Sequence, residues 1–415
     1  MKKIIVISIL ILLVFLAHSQ KKYSLEECVN IALNSNRNIK QAELILLETE
    51  IGLKEARNKL LPQVNAEANH NWNLVSEKTA TNTNTFYWGL NSSIQVFDGL
   101  KSIYEIKYRK NELAISDLEL LYQKQIIRDQ VTNVYLKILL NEELKAVALS
   151  QLQLTDSLLI QRKVLATQGR IAQGELLELQ TQRAKEEFQY THATNNLIMS
   201  ILDLTQLLEI EYDSMFTIGS LEDNFISKEL SNSDSVYNNA LKNRANIRSA
   251  ELQVHANKLN TALIKSRYFP NVSAGIVAGE SYLNGSNNPF STRVFITASV
   301  PIFDKFETKT LLQKNKAQTK LAELNLTNQK KELYKAIEQF KYYSIAAKAK
   351  WESAVKSEKI SIEAYNYLKN KFESGKATVY ELYQAKTDLV LQNSAALQAK
   401  YEYYFQQKMI QNLMN

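Results

Sequence analysis

The chain of 415 residues carries a formal net charge of +7, and 22% of its residues are charged. It holds only ten glycines and four prolines, so we expect long uninterrupted secondary-structure elements. Charges of both signs alternate along the sequence, which is typical of solvated helix faces and argues against a nucleic-acid-binding patch. Because Cys28 is the single cysteine, an intramolecular disulfide is excluded.

Residues 1–19 have the pattern of a secretory signal peptide. Two lysines precede an apolar run from Ile4 to Ala17. This run is shorter than the roughly 20 residues that a transmembrane helix needs, so cleavage before Gln20 is favoured over an uncleaved anchor. Cys28 lies several residues beyond that point, which argues against a lipid-modified N-terminus.

The rest of the sequence is internally duplicated. Gly169 recurs 206 residues later as Gly375. Further landmarks that recur at shifts of 206 or 208 are Ala32-Leu33, Asn38-Ile39, Ala42-Glu43-Leu44, Pro62, Val64, Ala66, Phe97-Asp98 and Glu175-Leu176. We therefore predict a first repeat over 20–220, an equatorial linker over 221–231 and a second repeat over 232–415.

Each repeat is predicted to contain a long helical hairpin, over 100–208 and 305–414. Stretches of 68 and 70 residues without Gly or Pro lead up to Gly169 and Gly375, and both stretches are rich in helix-forming residues. Their apolar residues recur at spacings of three, four and seven, which is typical of coiled-coil packing. The glycine that ends each stretch indicates a sharp reversal between two helices.

Each repeat also contains a predicted β-hairpin, over 63–97 and 271–303. Apolar and polar residues alternate along its strands, as at Val64, Ala66 and Ala68, and aromatic residues lie toward the loop ends. This pattern is typical of a transmembrane β-barrel. A water-soluble sheet with one face on a core has the same alternation, but the helices are too long to fold back over a four-stranded patch.

Four strands per chain are too few to close a barrel. An open sheet edge is not tolerated in lipid, and the smallest outer-membrane barrels have about eight strands. Several copies must therefore pool their strands, and the residues alone leave two, three or four subunits open. The predicted fold class is mainly α with a transmembrane β-barrel portion, built from duplicated antiparallel helical hairpins and two β-hairpins per chain.

Several short motifs resemble those of the TolC-type outer-membrane efflux channels. They are Leu25-Glu26-Glu27, Ala32-Leu33-x-x-Asn36, Leu61-Pro62, Val96-Phe97-Asp98-Gly99 and the Gly-x5-Glu-Leu pattern at both reversals. The resemblance covers both repeats. It implies a homotrimer in the outer membrane of a Gram-negative bacterium, with a shared 12-stranded barrel, a large periplasmic tunnel of twelve helices, and an equatorial girdle around 206–231 and the C-terminus.

The resemblance also implies a function and partners. The chain would be the channel subunit of a tripartite efflux or type I secretion system, not an enzyme. Its partners would be a periplasmic adaptor (membrane fusion) protein and an inner-membrane pump of the RND or ABC class. The pump would be driven by protons or by ATP. The transported substrate is not indicated.

Family members carry an acidic gate residue six positions after the reversal glycine, which implies a periplasmic gate at Glu175 and Glu381. The implied adaptor contacts at the reversals are Gly169, Arg170, Gly375 and Lys376. Many relatives have Asp at the gate position, so the longer Glu changes the geometry of a carboxylate ring. A simpler interpretation stays open, because Glu near a helix N-terminus is favoured by the helix dipole alone.

No pattern of residues indicates an enzyme, a metal site or a cofactor. His70, His192 and His255 are far apart and have no partner at ligand spacing, and neither a phosphate loop nor a nucleophile elbow is present. Paired carboxylates such as Glu186-Glu187 are interpreted as ordinary surface charges. The alternative functions are a periplasmic coiled-coil adaptor or structural protein without a channel and, far less favoured, a secreted hydrolase.

Overall fold

Helices form most of the computed structural model, which describes residues 22–73, 83–213, 216–221, 233–284 and 286–414. The predicted signal peptide and nearly all of the predicted linker lie outside these ranges, so the boundaries of the repeats stay a prediction. Within the ranges described, no helix has a stretch both long and apolar enough to cross a membrane.

The same order of long elements occurs twice along the chain. The first repeat contains β1 (Lys22–Tyr23), α1 (Leu25–Ser35), α2 (Arg37–Asn58), β2 (Gln63–Asn73), β3 (Thr83–Phe97), α3 (Lys101–Thr167), α4 (Gln173–Leu208) and β4 (Thr217–Ile218). The second repeat contains α5 (Ser233–Asn243), α6 (Ala245–Lys265), a 3-10 turn (Ser266–Tyr268), β5 (Asn271–Leu283), β6 (Ser286–Ser299), α7 (Glu307–Glu373) and α8 (Val379–Met414). The prediction of two long helical hairpins and two β-hairpins per chain is confirmed.

The long helices of the two repeats correspond residue for residue. Helices α3 and α7 both have 67 residues, and α4 and α8 both have 36. Each pair begins and ends at positions that differ by 206. We call α3 and α4 hairpin 1, and α7 and α8 hairpin 2.

An aspartate caps the start of the long helix in each repeat. The carboxylate of Asp98 accepts a hydrogen bond from the backbone N–H of Ser102 at 2.8 Å, and that of Asp304 accepts one from Thr308 at 2.9 Å. The hydroxyl and backbone N–H of Thr308 hold the pKa of Asp304 below its usual value. These carboxylates satisfy N–H groups that a helix start leaves without intrahelical partners.

The four long strands form one antiparallel sheet in the order β2-β3-β5-β6. The β-hairpins of the two repeats join through β3 and β5, whose pairing runs from Thr85 opposite Leu283 to Phe97 opposite Val272. Strands β2 and β6 are the edges, and every residue of β2 is exposed. Large apolar side chains exposed on this sheet are Val64, Trp72, Leu90, Val96, Val294 and Ile296.

The chain divides into two compact units that cut across the repeats. One unit is formed by Ala42–Leu121 and Ala245–Lys331 and contains the sheet. The other unit contains the remaining described residues, including the ends of both helical hairpins. Each unit takes segments from both repeats, because the β-hairpins of the two repeats pair within one unit and the ends of the helical hairpins pack within the other.

A small core in the second of these units surrounds the short parallel pair β1 and β4. Tyr135 is almost fully buried, and its hydroxyl lies 2.7 Å from the carbonyl oxygen of Gly219 and 3.1 Å from that of Tyr23. Cys28 is fully buried in the same unit, and burial raises the pKa of its thiol to about 12. The cysteine is therefore a packed core residue.

Candidate functional site at the ends of the helical hairpins

The reversals of both helical hairpins have the same backbone geometry. Gly169 and Gly375 adopt φ of 70° and 71°, a region that favours glycine. The next residue, Arg170 or Lys376, donates its backbone N–H to the carbonyl five residues earlier, at 2.9 and 2.8 Å. This is the Schellman arrangement that satisfies the last carbonyls of a helix. All four residues are exposed.

Glu381 is part of a capping box at the start of α8. Its carboxylate accepts the backbone N–H of Thr378 at 2.7 Å and the hydroxyl at 2.9 Å, while the N–H of Glu381 donates to the Thr378 hydroxyl oxygen at 3.2 Å. These bonds, chiefly the one from the backbone N–H, lower the pKa of Glu381. These bonds therefore favour the ionised carboxylate and stabilise the helix start.

Glu175 occupies the equivalent position on α4 but has different partners. The N-cap residue there is Ala172, which has no hydroxyl and makes no side-chain cap. Instead, the Oε1 atom of Glu175 lies 3.4 Å from Nη1 of Arg162, and the Glu175 side chain is 24% exposed. The Arg162 guanidinium also lies over the ring of Phe372, 4.0 Å from its centroid. Arg162 therefore connects the predicted gate residue of hairpin 1 to an aromatic ring of hairpin 2.

An apolar cluster packs the two helical hairpins against each other near these ends. It takes side chains from all four long helices, and their burial provides most of the adhesion expected of such a contact. Its buried members are Leu159, Leu176, Leu179, Tyr365, Phe372, Val379, Leu382 and Ala385. The reversal segments with the predicted site residues thus project from a packed base.

A buried ion pair lies beside this cluster. Lys386 is 2% exposed, and its Nζ atom donates to Oε1 of Glu186 at 2.8 Å. The same ammonium donates to the Thr155 hydroxyl oxygen at 2.5 Å and to the Gln151 carbonyl at 3.0 Å, and Thr155 donates to the other Glu186 oxygen at 2.5 Å. Burial lowers the pKa of Lys386, and the hydrogen bond to Glu186 opposes that shift.

The interpretation of Glu186 as a surface charge is wrong, because this residue is only 4% exposed. Glu187, its neighbour in the sequence, is 57% exposed in its side chain and pairs with Arg183. Adjacent helix positions point in directions about 100° apart, so one carboxylate faces hairpin 2 and the other faces solvent. The sequence contained no signal for this difference, because Lys386 lies 200 residues away.

The predicted site residues do not form a metal site in this structure. In the part of the chain that the structure describes, no group of three or more His, Cys, Asp or Glu side chains could hold a metal ion. Glu381 instead takes part in a helix cap, and Glu175 pairs with Arg162.

The family comparison bears on the C-terminal part of the chain, which carries hairpin 2. Residues 236–415 match the family model described as outer membrane efflux protein. This C-terminal region is similar to that family. The resemblance to TolC-type channels is confirmed, and the interpretation as an efflux channel is supported over that of an adaptor. A comparison with curated proteins finds no match.

Solved outer-membrane channels share the fold of nearly the whole chain. Crystal structures of CusC match with a TM-score of 0.83 at 14% identity, covering 94% of this chain and 92% of that one. The CmeC outer membrane channel of Campylobacter jejuni gives 0.80 at 17% identity, with 94% and 85% covered. The MtrE channel of Neisseria gonorrhoeae gives 0.80 at 16% identity, with 94% and 88% covered. At these identities the likeness establishes the fold.

Proposed function

We propose that the chain is one subunit of a homotrimeric outer-membrane channel that conducts substrates from a periplasmic adaptor and an inner-membrane pump to the exterior. The pump belongs to the RND or ABC class. The chain itself conducts and catalyses no reaction. This proposal extends the family match to a subunit number, to partners and to a place in the cell.

The observation that carries the proposal is the four-stranded sheet with two unpaired edges. Among the residues that the structure describes, strands β2 and β6 have neighbours on one side only. Large apolar side chains such as Trp72 and Ile296 are 65% and 75% exposed. Lipid accepts apolar side chains but no unpaired backbone edge. Pairing of β2 with β6 of the next copy satisfies both requirements, and three copies give a barrel of twelve strands.

The long helices support the periplasmic part of the proposal. Each of α3 and α7 has 67 residues, which corresponds to about 100 Å of helix. Such lengths exceed what a single globular core requires. In the proposed trimer, the helical hairpins of three copies form the wall of a periplasmic tunnel.

The ends of the hairpins are the proposed gate and adaptor-binding region. Glu175 and Glu381 are proposed to hold neighbouring hairpins together at the periplasmic aperture. The adaptor contacts the exposed reversals, where Gly169 and Gly375 bring the chain back on itself. Arg170 and Lys376 present a positive charge at each reversal and favour an adaptor surface that carries carboxylates.

Membrane fractionation combined with cross-linking tests this proposal. We expect the full-length chain in the outer-membrane fraction, cross-linked products no larger than a trimer, and ion conductance when the purified protein is inserted into a planar bilayer. Recovery as a monomer in the soluble periplasmic fraction, without detergent, would contradict the channel and favour the adaptor-like alternative.

A further inference from the structure

Three of the ten glycines in the sequence lie in the two central strands of the four-stranded sheet. They are Gly89 on β3 and Gly275 and Gly279 on β5. Glycine in the interior of a strand weakens it, because no side chain packs there and more backbone freedom is lost on folding. Three glycines in two neighbouring strands of a glycine-poor chain therefore require a structural reason.

All three glycines lie on the same face of the sheet. Gly89 is directly opposite Gly279 in the pairing of β3 with β5, and Ser93, four residues after Gly89, is opposite Gly275. Side chains alternate between the two faces along a strand, so the exposed apolar Leu90 lies on the other face. In the proposed barrel the apolar face contacts lipid. The glycines therefore face the lumen.

The side chain of Tyr87 lies over two of these glycines. A Cβ atom on Gly89 would overlap the Tyr87 hydroxyl oxygen, and one on Gly279 would lie 3.0 Å from it. Tyr87 precedes Gly89 by two residues and so shares its face. Gly89 and Gly279 are buried, whereas the other residues of β3 and β5 are exposed or partly buried. The ring therefore lies along the wall of the sheet.

Phe295 lies over the third glycine in the same way. It is directly opposite Gly275 in the pairing of β5 with β6. A Cβ atom on Gly275 would lie 2.5 Å from Cζ and 2.8 Å from Cε1 of the Phe295 ring. Phe295 is partly buried, whereas Val294 and Ile296 on the opposite face are 73% and 75% exposed. An aromatic ring that covers a cross-strand glycine supplies the packing that glycine itself lacks.

We propose that these three glycines are seats that hold the rings of Tyr87 and Phe295 against the lumen wall, and that this placement sets the width of the passage through the sheet. The proposal rests on the proposed channel and names side chains that limit the size of its cargo. Each copy contributes both rings, so a displaced ring narrows the passage from several sides at once. A seat needs glycine because any Cβ atom would occupy the place of the ring.

The charges on this face favour a limit by size over a limit by charge. On the lumen face of the two central strands, residues 85–95 and 271–283 carry no charged side chain. Glu67 and Arg293 are charged residues of this face, and both lie on the edge strands β2 and β6. Pore diameter and pore-lining charge are the two properties that decide what a channel admits. Over the central strands, only the first is changed by the rings.

Thiol labelling from outside the cell tests the width of the passage. The reporter is Thr297→Cys in the full-length chain, because Thr297 is exposed on the face of Phe295 and lies farther from the β5–β6 loop. Intact cells are treated with two membrane-impermeant maleimides, one small and one attached to a short polyethylene glycol. We expect both to react. The matched control Ile296→Cys, on the lipid face, should react with neither, and Cys28 is buried.

The decisive variant adds Gly275→Ala to this reporter. At Gly275 the nearest atoms belong to the Phe295 ring, with the Ser92 carbonyl oxygen at 2.8 Å, whereas at the other two seats a backbone carbonyl oxygen is closer. The displaced ring should slow the bulky reagent at least about tenfold and the small one less than about twofold. Adding Phe295→Ala should restore the bulky rate. An unchanged rate in Gly275→Ala, or no recovery in the double variant, would overturn the proposal.

A second measurement leaves the glycines intact. Phe295→Ala and Tyr87→Ala are each combined with the Thr297→Cys reporter. Rings that lie against the wall do not obstruct the passage, so removing either one should leave the bulky rate within about twofold of the parent. A rise of about tenfold would show that the rings project into the lumen, and it would contradict the proposal even if Gly275→Ala fails to assemble.

Failure of this inference is distinguishable from failure of the proposed channel. If the thiol introduced at position 297 reacts with neither maleimide in the parent, this face lines no open passage and the channel itself is contradicted. If both reagents react but their rates do not depend on Gly275 and Phe295, the channel is retained and the seats are excluded.

Discussion

At the scale of single residues, the ion pair between Glu186 and Lys386 has to offset the cost of burying two charges. Both side chains are almost fully buried, and each depends on the other for neutralisation. Removing one partner of such a pair typically costs about 3–5 kcal/mol, whereas replacing both can be nearly neutral.

We therefore expect Lys386→Met to lower the free energy of unfolding by about 3 kcal/mol. The double variant Lys386→Met/Glu186→Gln should recover most of that loss, because no unpaired charge stays buried. Denaturant unfolding of the detergent-solubilised protein measures both. Equal stability of the single variant and the unchanged protein would show that the pair is dispensable.

Cys28 provides a second prediction at the residue scale. Burial raises the pKa of its thiol to about 12, so at pH 8 almost none of it is the reactive thiolate. Maleimide labelling of the folded protein should be negligible and should become rapid in denaturant. A Ser374→Cys variant, whose thiol lies at an exposed hairpin reversal, is the matched control. Rapid labelling of Cys28 in the folded protein would contradict the structure.

At the scale of elements, the two hairpin reversals share a backbone but differ in how the returning helix begins. Helix α8 starts with Thr378 and Glu381 in a capping box, whereas α4 starts after Ala172 without a side-chain cap. An N-cap hydroxyl typically contributes about 1 kcal/mol. The start of α4 is therefore expected to open more readily than that of α8.

The two cap positions allow an exchange experiment. Thr378→Ala should speed amide hydrogen exchange in the first turn of α8 about fivefold, and Ala172→Thr should slow it in α4 by a similar factor. The pKa of Glu381 is lowered from its usual value of 4.5. The stability that the Glu381 carboxylate gives to the start of α8 is therefore fully present above pH 4.5 and is lost as the pH falls through the lowered pKa. The extra exchange caused by Thr378→Ala should accordingly shrink in acid.

At the scale of the whole molecule, the proposed gate can be tested through leak. Replacing Glu175 and Glu381 together by Gln removes the ion pair with Arg162 and weakens the cap on α8. We expect passive conductance of the reconstituted channel to rise severalfold, because the proposed gate depends on these two carboxylates. Unchanged conductance in the double variant would remove both residues from the gate.

The matched control for this measurement is Glu187→Gln. Glu187 is an exposed carboxylate on the same helix as Glu175, and its pairing with Arg183 is confined to α4. Its loss should leave the leak unchanged. A similar rise in both variants would indicate a general effect of negative charge in the tunnel.

The sequence by itself determined the features that depend on neighbours along the chain. The runs without Gly or Pro specified α3 and α7, Gly169 and Gly375 specified the reversals, and alternation specified the strands. Each signal is local, because helix propensity, turn geometry and strand alternation are properties of adjacent residues.

Only the tertiary structure decided which faces meet. The pairing of β3 with β5 and the burial of Glu186 against Lys386 join residues that are distant in sequence. Glu175 and Glu381 have different partners because the cap residues before them differ. A side chain is buried or exposed according to the surface that arrives opposite it, and a local pattern does not contain that surface. The two hairpins are similar in sequence, but equivalent side chains on them differ in burial and in partners because different surfaces lie opposite them in the folded chain.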